Sequence, residues 1–293
     1  MNLDGTYTAL ITPFHSDGAL DLEALTGLVE WQIEQKIDGL VPCGSTGESA
    51  TLTPAEHVEV IRHVVDVAAE RVVVLAGTGS NSTREAIEFT SEARQAGADG
   101  ALLISPYYNK PTQDGIFHHY RTIAEETGLP LVIYNIPGRT ASRIEPETSA
   151  RLSRIDGIAG LKEAGGDLVK TAETIAQCEP DFSVLSGDDA LALPMLALGG
   201  CGVISTIGNV APLQMGDLVR AFQRGDLEGA RELHYRLLPL MLALFAETNP
   251  IPVKTAVHLL GRIPDPVLRL PLTAIQKGNR DRLEAALSVL EQG

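Results

Sequence analysis

The sequence predicts an α/β protein folded as a (β/α)8 TIM barrel with a C-terminal helical extension, and three observations lead there. Eight short, β-rich apolar runs alternate with stretches of helical periodicity. The runs start 20 to 33 residues apart, a spacing that suits right-handed βαβ units. No GxGxxG follows the first run, which weakens the alternative of a doubly wound dinucleotide-binding sheet.

The runs are TYTALI (6–11), GLVPC (39–43), VVVLAG (72–77), GALLIS (100–105), LVIYN (131–135), GIAGLK (157–162), FSVLSG (182–187) and GVIST (202–206). Most are continuously apolar rather than alternating, as expected of strands covered on both faces. Helix 21–36 repeats Leu22, Leu25, Leu28, Val29 and Ile33 on one side. Helix 53–70 opens with Thr53 as N-cap, Pro54 at the first helical position and Glu56 completing a capping box. The helix ending at Gly97 is expected to repeat that box with Ser82 and Glu85. Further helices fit 112–127, 146–153, 167–178, 189–198 and 212–223. From Asp226 onward only helices are expected, at 227–246, 250–260 and 279–291. Residues 1–225 therefore read as the barrel and 226–293 as a helical extension packed on it.

Composition narrows the function. A chain of 293 residues with 44% hydrophobic and 21% charged content has enough apolar material for a sizeable core. Three scattered cysteines (Cys43, Cys178, Cys201) suit a reducing compartment and carry no zinc spacing. The N-terminal residues do not read as a signal peptide, and no apolar run approaches membrane-spanning length. A formal charge of −15 opposes nucleic acid and anionic membrane as partners. The expectation is a soluble, cytoplasmic protein.

In such a barrel the reacting groups stand at the carboxyl ends of the strands. Of six lysines against seventeen arginines, Lys162 alone ends an apolar strand. A poorly solvated amine there has a lowered pKa and can attack a carbonyl to give an imine. The competing reading is a lysine that reaches past the rim to a carboxylate. Tyr134 ends the preceding strand and can move protons, with the hydroxyls of Ser45 and Thr46 extending a relay. A core tyrosine with a satisfied hydroxyl is the blander alternative. Arg139 suits capture of a carboxylate, or else a surface ion pair. Asp188 and Asp189 follow the seventh strand, where many barrels bind phosphate, and would repel it. The seven histidines form no HExxH, and His118-His119 reads as part of an ordinary helix, so no catalytic metal is expected.

GSTGE (44–48), SPYYNKP (105–111), YNIPGRT (134–140), GLKEA (160–164), LSGDD (185–189) and NPIPVK (249–254) follow in order along the chain. In these strings the sequence resembles the pyruvate-dependent class I aldolase superfamily over essentially its whole length. The arginine of YNIPGRT favours the branch that condenses pyruvate with L-aspartate-4-semialdehyde on the diaminopimelate route to L-lysine. The alternatives are a 2-keto-3-deoxy sugar-acid aldolase or N-acetylneuraminate-type lyase, and a non-catalytic keto-acid-binding regulatory barrel. The resemblance implies that Lys162 forms the Schiff base with pyruvate and that Tyr134 is the central proton-transfer residue. Ser45 and Tyr108 would complete the hydroxyl relay, with Tyr108 donated across a subunit interface. Thr46 would hold the pyruvate carboxylate, Arg139 the semialdehyde end, and Gly187 and Ile204 would line the pocket. No metal or organic cofactor is implied.

Ser45 departs from the usual GTTGE pattern, keeping the hydroxyl but losing the methyl that restricts χ1. The resemblance also implies feedback inhibition by L-lysine at Ser49, Ala50, His57, Asn81, Glu85 and Tyr107, with Pro54 standing where a histidine is common. It further implies a homo-oligomer, a dimer of dimers.

Overall fold

The eight apolar runs become eight parallel strands that close into a barrel in sequence order. The computed structural model describes Met1 and residues 3–292. The strands are β1 Gly5–Ala9, β2 Gly39–Val41, β3 Val73–Gly77, β4 Gly100–Ile104, β5 Leu131–Asn135, β6 Ile158–Glu163, β7 Ser183–Ser186 and β8 Gly202–Ser205. Almost every strand residue is buried, which is why the runs read as continuous apolar sequence. The helices are α1 Leu22–Glu34, α2 Pro54–Ala68, α3 Thr83–Gln95, α4 Gln113–Thr127, α5 Pro137–Thr140, α6 Pro146–Leu152, α7 Leu168–Gln177, α8 Ala192–Ala197, α9 Pro212–Gln223, α10 Leu227–Ala243, α11 Ile251–Leu259 and α12 Lys277–Leu287.

By their internal contacts the residues fall into two compact units, Met1–Gly5 with Leu75–Ile204 and Thr6–Val74 with Ser205–Gly293. In the first unit the register pairs Leu75 with Gly100, Ile104 with Tyr134, Tyr134 with Lys162 and Lys162 with Leu185. Its core is built from Leu102, Leu103, Ile133, Leu161 and Leu185, with α3, α4, α6 and α7 packed in succession. In the second unit Tyr7 pairs with Gly39 and Leu40 with Val74. There α1 lies on α2, and α10 packs against α9 and α12 over Val219, Leu237, Leu240 and Leu283. Gln32 serves that core as a fully buried polar link, accepting from Thr8 Oγ1 at 2.7 Å and donating to the Gly208 carbonyl at 2.7 Å.

Three local expectations change. The helix expected over 189–198 is a single 3-10 turn, Asp189–Leu191, followed by α8. Pro194 has no N–H to give the Ala190 carbonyl, which favours a break in the helix before it. The Thr53–Glu56 capping box forms in full. At α3 only half of its counterpart does: Ser82 caps the Glu85 amide, but the Glu85 carboxylate accepts from Ser80 Oγ instead. Finally, α5 is a short helix that periodicity did not indicate, opened by Pro137 at its first position.

Candidate active site

The first unit brings Lys162 and Tyr134 together as the sequence predicts. Both are buried at matched register positions on adjacent strands, and the Lys162 Nζ lies 4.3 Å from the centre of the Tyr134 ring. Burial pushes the Lys162 ammonium down to about 8, with Asp189 opposing the shift and Arg139 adding to it. At pH 7 an amine with that pKa is neutral in about a tenth of the molecules, against well under ~0.1% for an ordinary lysine. Among the described residues no carboxylate forms an ion pair with it, unlike Lys170 and Lys254. Burial likewise holds the Tyr134 phenol above its usual range, opposed by the Arg139 charge and reinforced by Glu163 and Asp188.

The stem of Lys162 is confined by the next strand end. A Cβ on Gly187 would stand 2.8 Å from Ala164 Cβ and 2.9 Å from Lys162 Cε, closer than side-chain atoms pack. Glycine there lets the backbone lie against the lysine. Ile204 is buried on β8. Arg139 lies exposed in the last turn of α5, and its charge acts on both Lys162 and Tyr134. Tyr108 is 87% exposed at a left-handed φ of 71°.

Two buried groups near Lys162 were not read from sequence as part of its surroundings. Glu163, next along β6, accepts from Asn135 Nδ2 at 2.8 Å and from the Gly165 amide, while Asn135 Oδ1 accepts from the Ile144 amide. This network fixes the ends of β5 and β6, and burial raises the Glu163 pKa against those bonds. Asp189, read from sequence only as a repellent of phosphate, is buried and sets part of the field at Lys162.

The second unit carries the hydroxyl turn. Gly47 N bonds back to the Gly44 carbonyl at 3.0 Å, and Thr12 Oγ1 donates to the Gly47 carbonyl at 2.7 Å. Ser45 is half-buried and Thr46 buried. Asn249 Nδ2 donates to Thr46 Oγ1 at 2.9 Å. Two residues past Thr46, Glu48 takes a left-handed φ of 55° and receives Lys254 Nζ at 2.5 Å, both side chains fully buried. Lys254 also donates to the Val267 carbonyl at 2.7 Å, and Arg269 N to Glu48 Oε2 at 3.1 Å. Sequence reading left Lys254 as an ordinary helix residue. The available signal was its setting in α11, where Pro252, Val253, Thr255, Ala256 and Val257 are all buried around it.

Of the positions linked to lysine inhibition, the first unit joins Asn81, whose Nδ2 donates to the Tyr107 carbonyl at 3.2 Å and whose carbonyl accepts from Asn109 Nδ2. Glu85 is exposed nearby in sequence at the start of α3. In the second unit Ser49 and Ala50 form a 3-10 turn and His57 is buried on α2. Among the described residues no group of three or more His, Cys, Asp or Glu side chains could hold a metal ion, and no helix is long and apolar enough to cross a membrane.

The model of the dihydrodipicolinate synthetase family matches residues 2–290. The chain belongs to that family. It is 55% identical to the 4-hydroxy-tetrahydrodipicolinate synthase of Nitratidesulfovibrio vulgaris (strain DSM 19637 / Miyazaki F) over 289 residues, 98% of each chain. Among solved structures it is similar to the chloride-inhibited dihydrodipicolinate synthase of Acinetobacter baumannii complexed with pyruvate, at 43% identity over 99% of both chains and a TM-score of 0.97. It is also similar to the lysine-bound enzyme of Cyanidioschyzon merolae, at 42% identity over 98% of both chains and a TM-score of 0.94. Like these members of the family, the chain is a lyase of the class I aldolase type, and the synthase reading prevails over the sugar-acid lyase and the regulatory barrel.

Proposed function

We propose that the chain condenses pyruvate with L-aspartate-4-semialdehyde through an imine on Lys162, the 4-hydroxy-tetrahydrodipicolinate synthase reaction of lysine biosynthesis. The observation that carries the residue assignment is a buried amine, lowered to about 8, packed on a phenol ring with no carboxylate of the described residues paired to it. The Lys162 amine adds to the pyruvate ketone, and loss of water leaves an iminium that withdraws electrons from the methyl carbon. Removal of a methyl proton gives an enamine, whose carbon attacks the semialdehyde's aldehyde. The amine of the semialdehyde then displaces Lys162 from the imine carbon, closing the ring and freeing the enzyme.

Tyr134 passes the protons of these steps, with Ser45 and Tyr108 completing the relay. Thr46 holds the pyruvate carboxylate, Arg139 organises the semialdehyde end, and Gly187 and Ile204 line the pocket. The exposure of Tyr108 supports its donation to a neighbouring subunit, and with it a homo-oligomer built as a dimer of dimers. The lysine-bound relative supports L-lysine as an inhibitor acting through Ser49, Ala50, His57, Asn81, Glu85 and Tyr107. The reaction runs without a metal or organic cofactor, in the cytoplasm.

Borohydride added with pyruvate leaves a reduced adduct on Lys162 if the imine forms; an unmodified lysine sinks the mechanism. Coupled assay of pyruvate with L-aspartate-4-semialdehyde, against a panel of sugar-acid products, checks the second substrate. Turnover confined to the panel moves the chain to the lyases. Titration of L-lysine into that assay tests regulation, and no effect at millimolar concentrations removes it.

A further inference from the structure

We infer that Asn249 is a positioning residue that fixes the direction of the Thr46 hydroxyl, aiming its proton at the carboxylate of pyruvate. The inference rests on the reading that Thr46 holds that carboxylate, and it adds what makes Thr46 able to do so. A threonine hydroxyl has one proton and two lone pairs, so it can donate only once. If it donates to the protein, it turns lone pairs towards an incoming anion. Asn249 Nδ2 donates to Thr46 Oγ1 at 2.9 Å, and an amide nitrogen cannot accept. That bond occupies a lone pair and leaves the hydroxyl proton for a further acceptor.

Both partners are buried, Thr46 at 3% and Asn249 at 7% exposure, so water does not readily redirect the hydroxyl. The two segments are also joined by a neighbouring ion pair. Lys254, five residues after Asn249, is locked to Glu48, two residues after Thr46. The segment that begins α11 therefore grips the hydroxyl turn at two points. Lys254 sets the distance between the segments, and Asn249 sets which way the proton points.

The test compares pyruvate with methyl pyruvate, which has the same ketone but no anionic carboxylate. Half-saturation of borohydride-trapped imine is measured for each, with the pyruvate KM and kcat alongside. Asn249→Asp keeps the shape but offers only an acceptor, which reverses the hydroxyl. It is expected to raise half-saturation for pyruvate about tenfold or more while shifting methyl pyruvate by about twofold or less. Its pyruvate KM rises more than its kcat falls. Asn249→Ala, which frees the hydroxyl without reversing it, gives a smaller selective rise and decides the matter by the same ratio should the aspartate variant not fold. Equal shifts for both ketones, or none, overturn the inference and make Asn249 a packing residue. Thr46→Val separates the two levels. Its loss of selectivity for pyruvate with unselective Asn249 variants refutes only the inference, whereas an unselective Thr46→Val refutes the assignment of Thr46 itself.

Discussion

Lys162 and Lys254 are both buried, both pulled down in pKa by burial, and both seated on an aromatic ring, Tyr134 at 4.3 Å and Phe14 at 4.1 Å. What separates them is a single carboxylate. Lys254 is lowered to about 8, as Lys162 is, but its amine is engaged by Glu48 in a charge-assisted hydrogen bond. Lys162 has only the longer-range field of Asp189, opposed by Arg139. The pKa therefore does not tell the two lysines apart; one amine is held by a carboxylate, and the other has none within ion-pair distance among the described residues. One lysine is open to the chemistry proposed for it, and the other holds the turn that carries Ser45 and Thr46.

The sharpest way to break this contrast is to remove each amine. Lys162→Ala is expected to lower kcat by at least ~10³-fold and abolish the trapped adduct, while its urea midpoint stays level or rises, because a poorly solvated charge is gone. A clear drop in that midpoint would assign Lys162 a structural role. Lys254→Met leaves Glu48 buried without its cation and is expected to cost about 3–5 kcal/mol in urea unfolding. Adding Glu48→Gln to it regains much of that loss, and a double variant no more stable than the single one contradicts the pairing argument.

The pH dependence sharpens the comparison further. In the proposed mechanism Lys162 attacks as the neutral amine, so kcat/KM for pyruvate is expected to rise about tenfold per unit below about 8 and then level off. The folded amine titrates at about 8 and the unfolded one near 10.5, so the unfolded chain binds more protons between these values. Lys162 therefore costs stability below that window, and stability rises with pH across it. Urea melts of Lys162→Met should lack this component of the rise. The smallest effect is expected at the hydroxyl turn: Ser45→Thr should alter kcat by less than about threefold, since both residues donate and accept alike. A large fall in rate overturns the view that the exchange is conservative.

The barrel was legible because its signal is local and repeated. Each strand is covered on both faces and therefore continuously apolar, and each helix carries its own start, as Thr53 and Glu56 do at α2. Lys162 was legible for a related reason, as the one lysine that ends such a run. The clamp on the hydroxyl turn was not. Thr46 and Asn249 are 203 residues apart, and Glu48 and Lys254 are 206 apart. Periodicity reports which face of an element is buried, not which distant side chain meets it there. The same limit hid the bond between Glu163 and Asn135, which joins two strand ends 28 residues apart. Glu85 was misplaced on finer grounds: two nearby serines compete for its carboxylate, and only the folded loop decides that Ser80 wins.

The 206-residue separation of Glu48 from Lys254 also imposes an order of events at birth. At ordinary elongation rates the glutamate is made about 10 to 40 s before its cation. Until then that carboxylate has no reason to give up its hydration, and the segment around it waits open. Over that interval the turn that carries Ser45 and Thr46 has to do without the bond that later holds it.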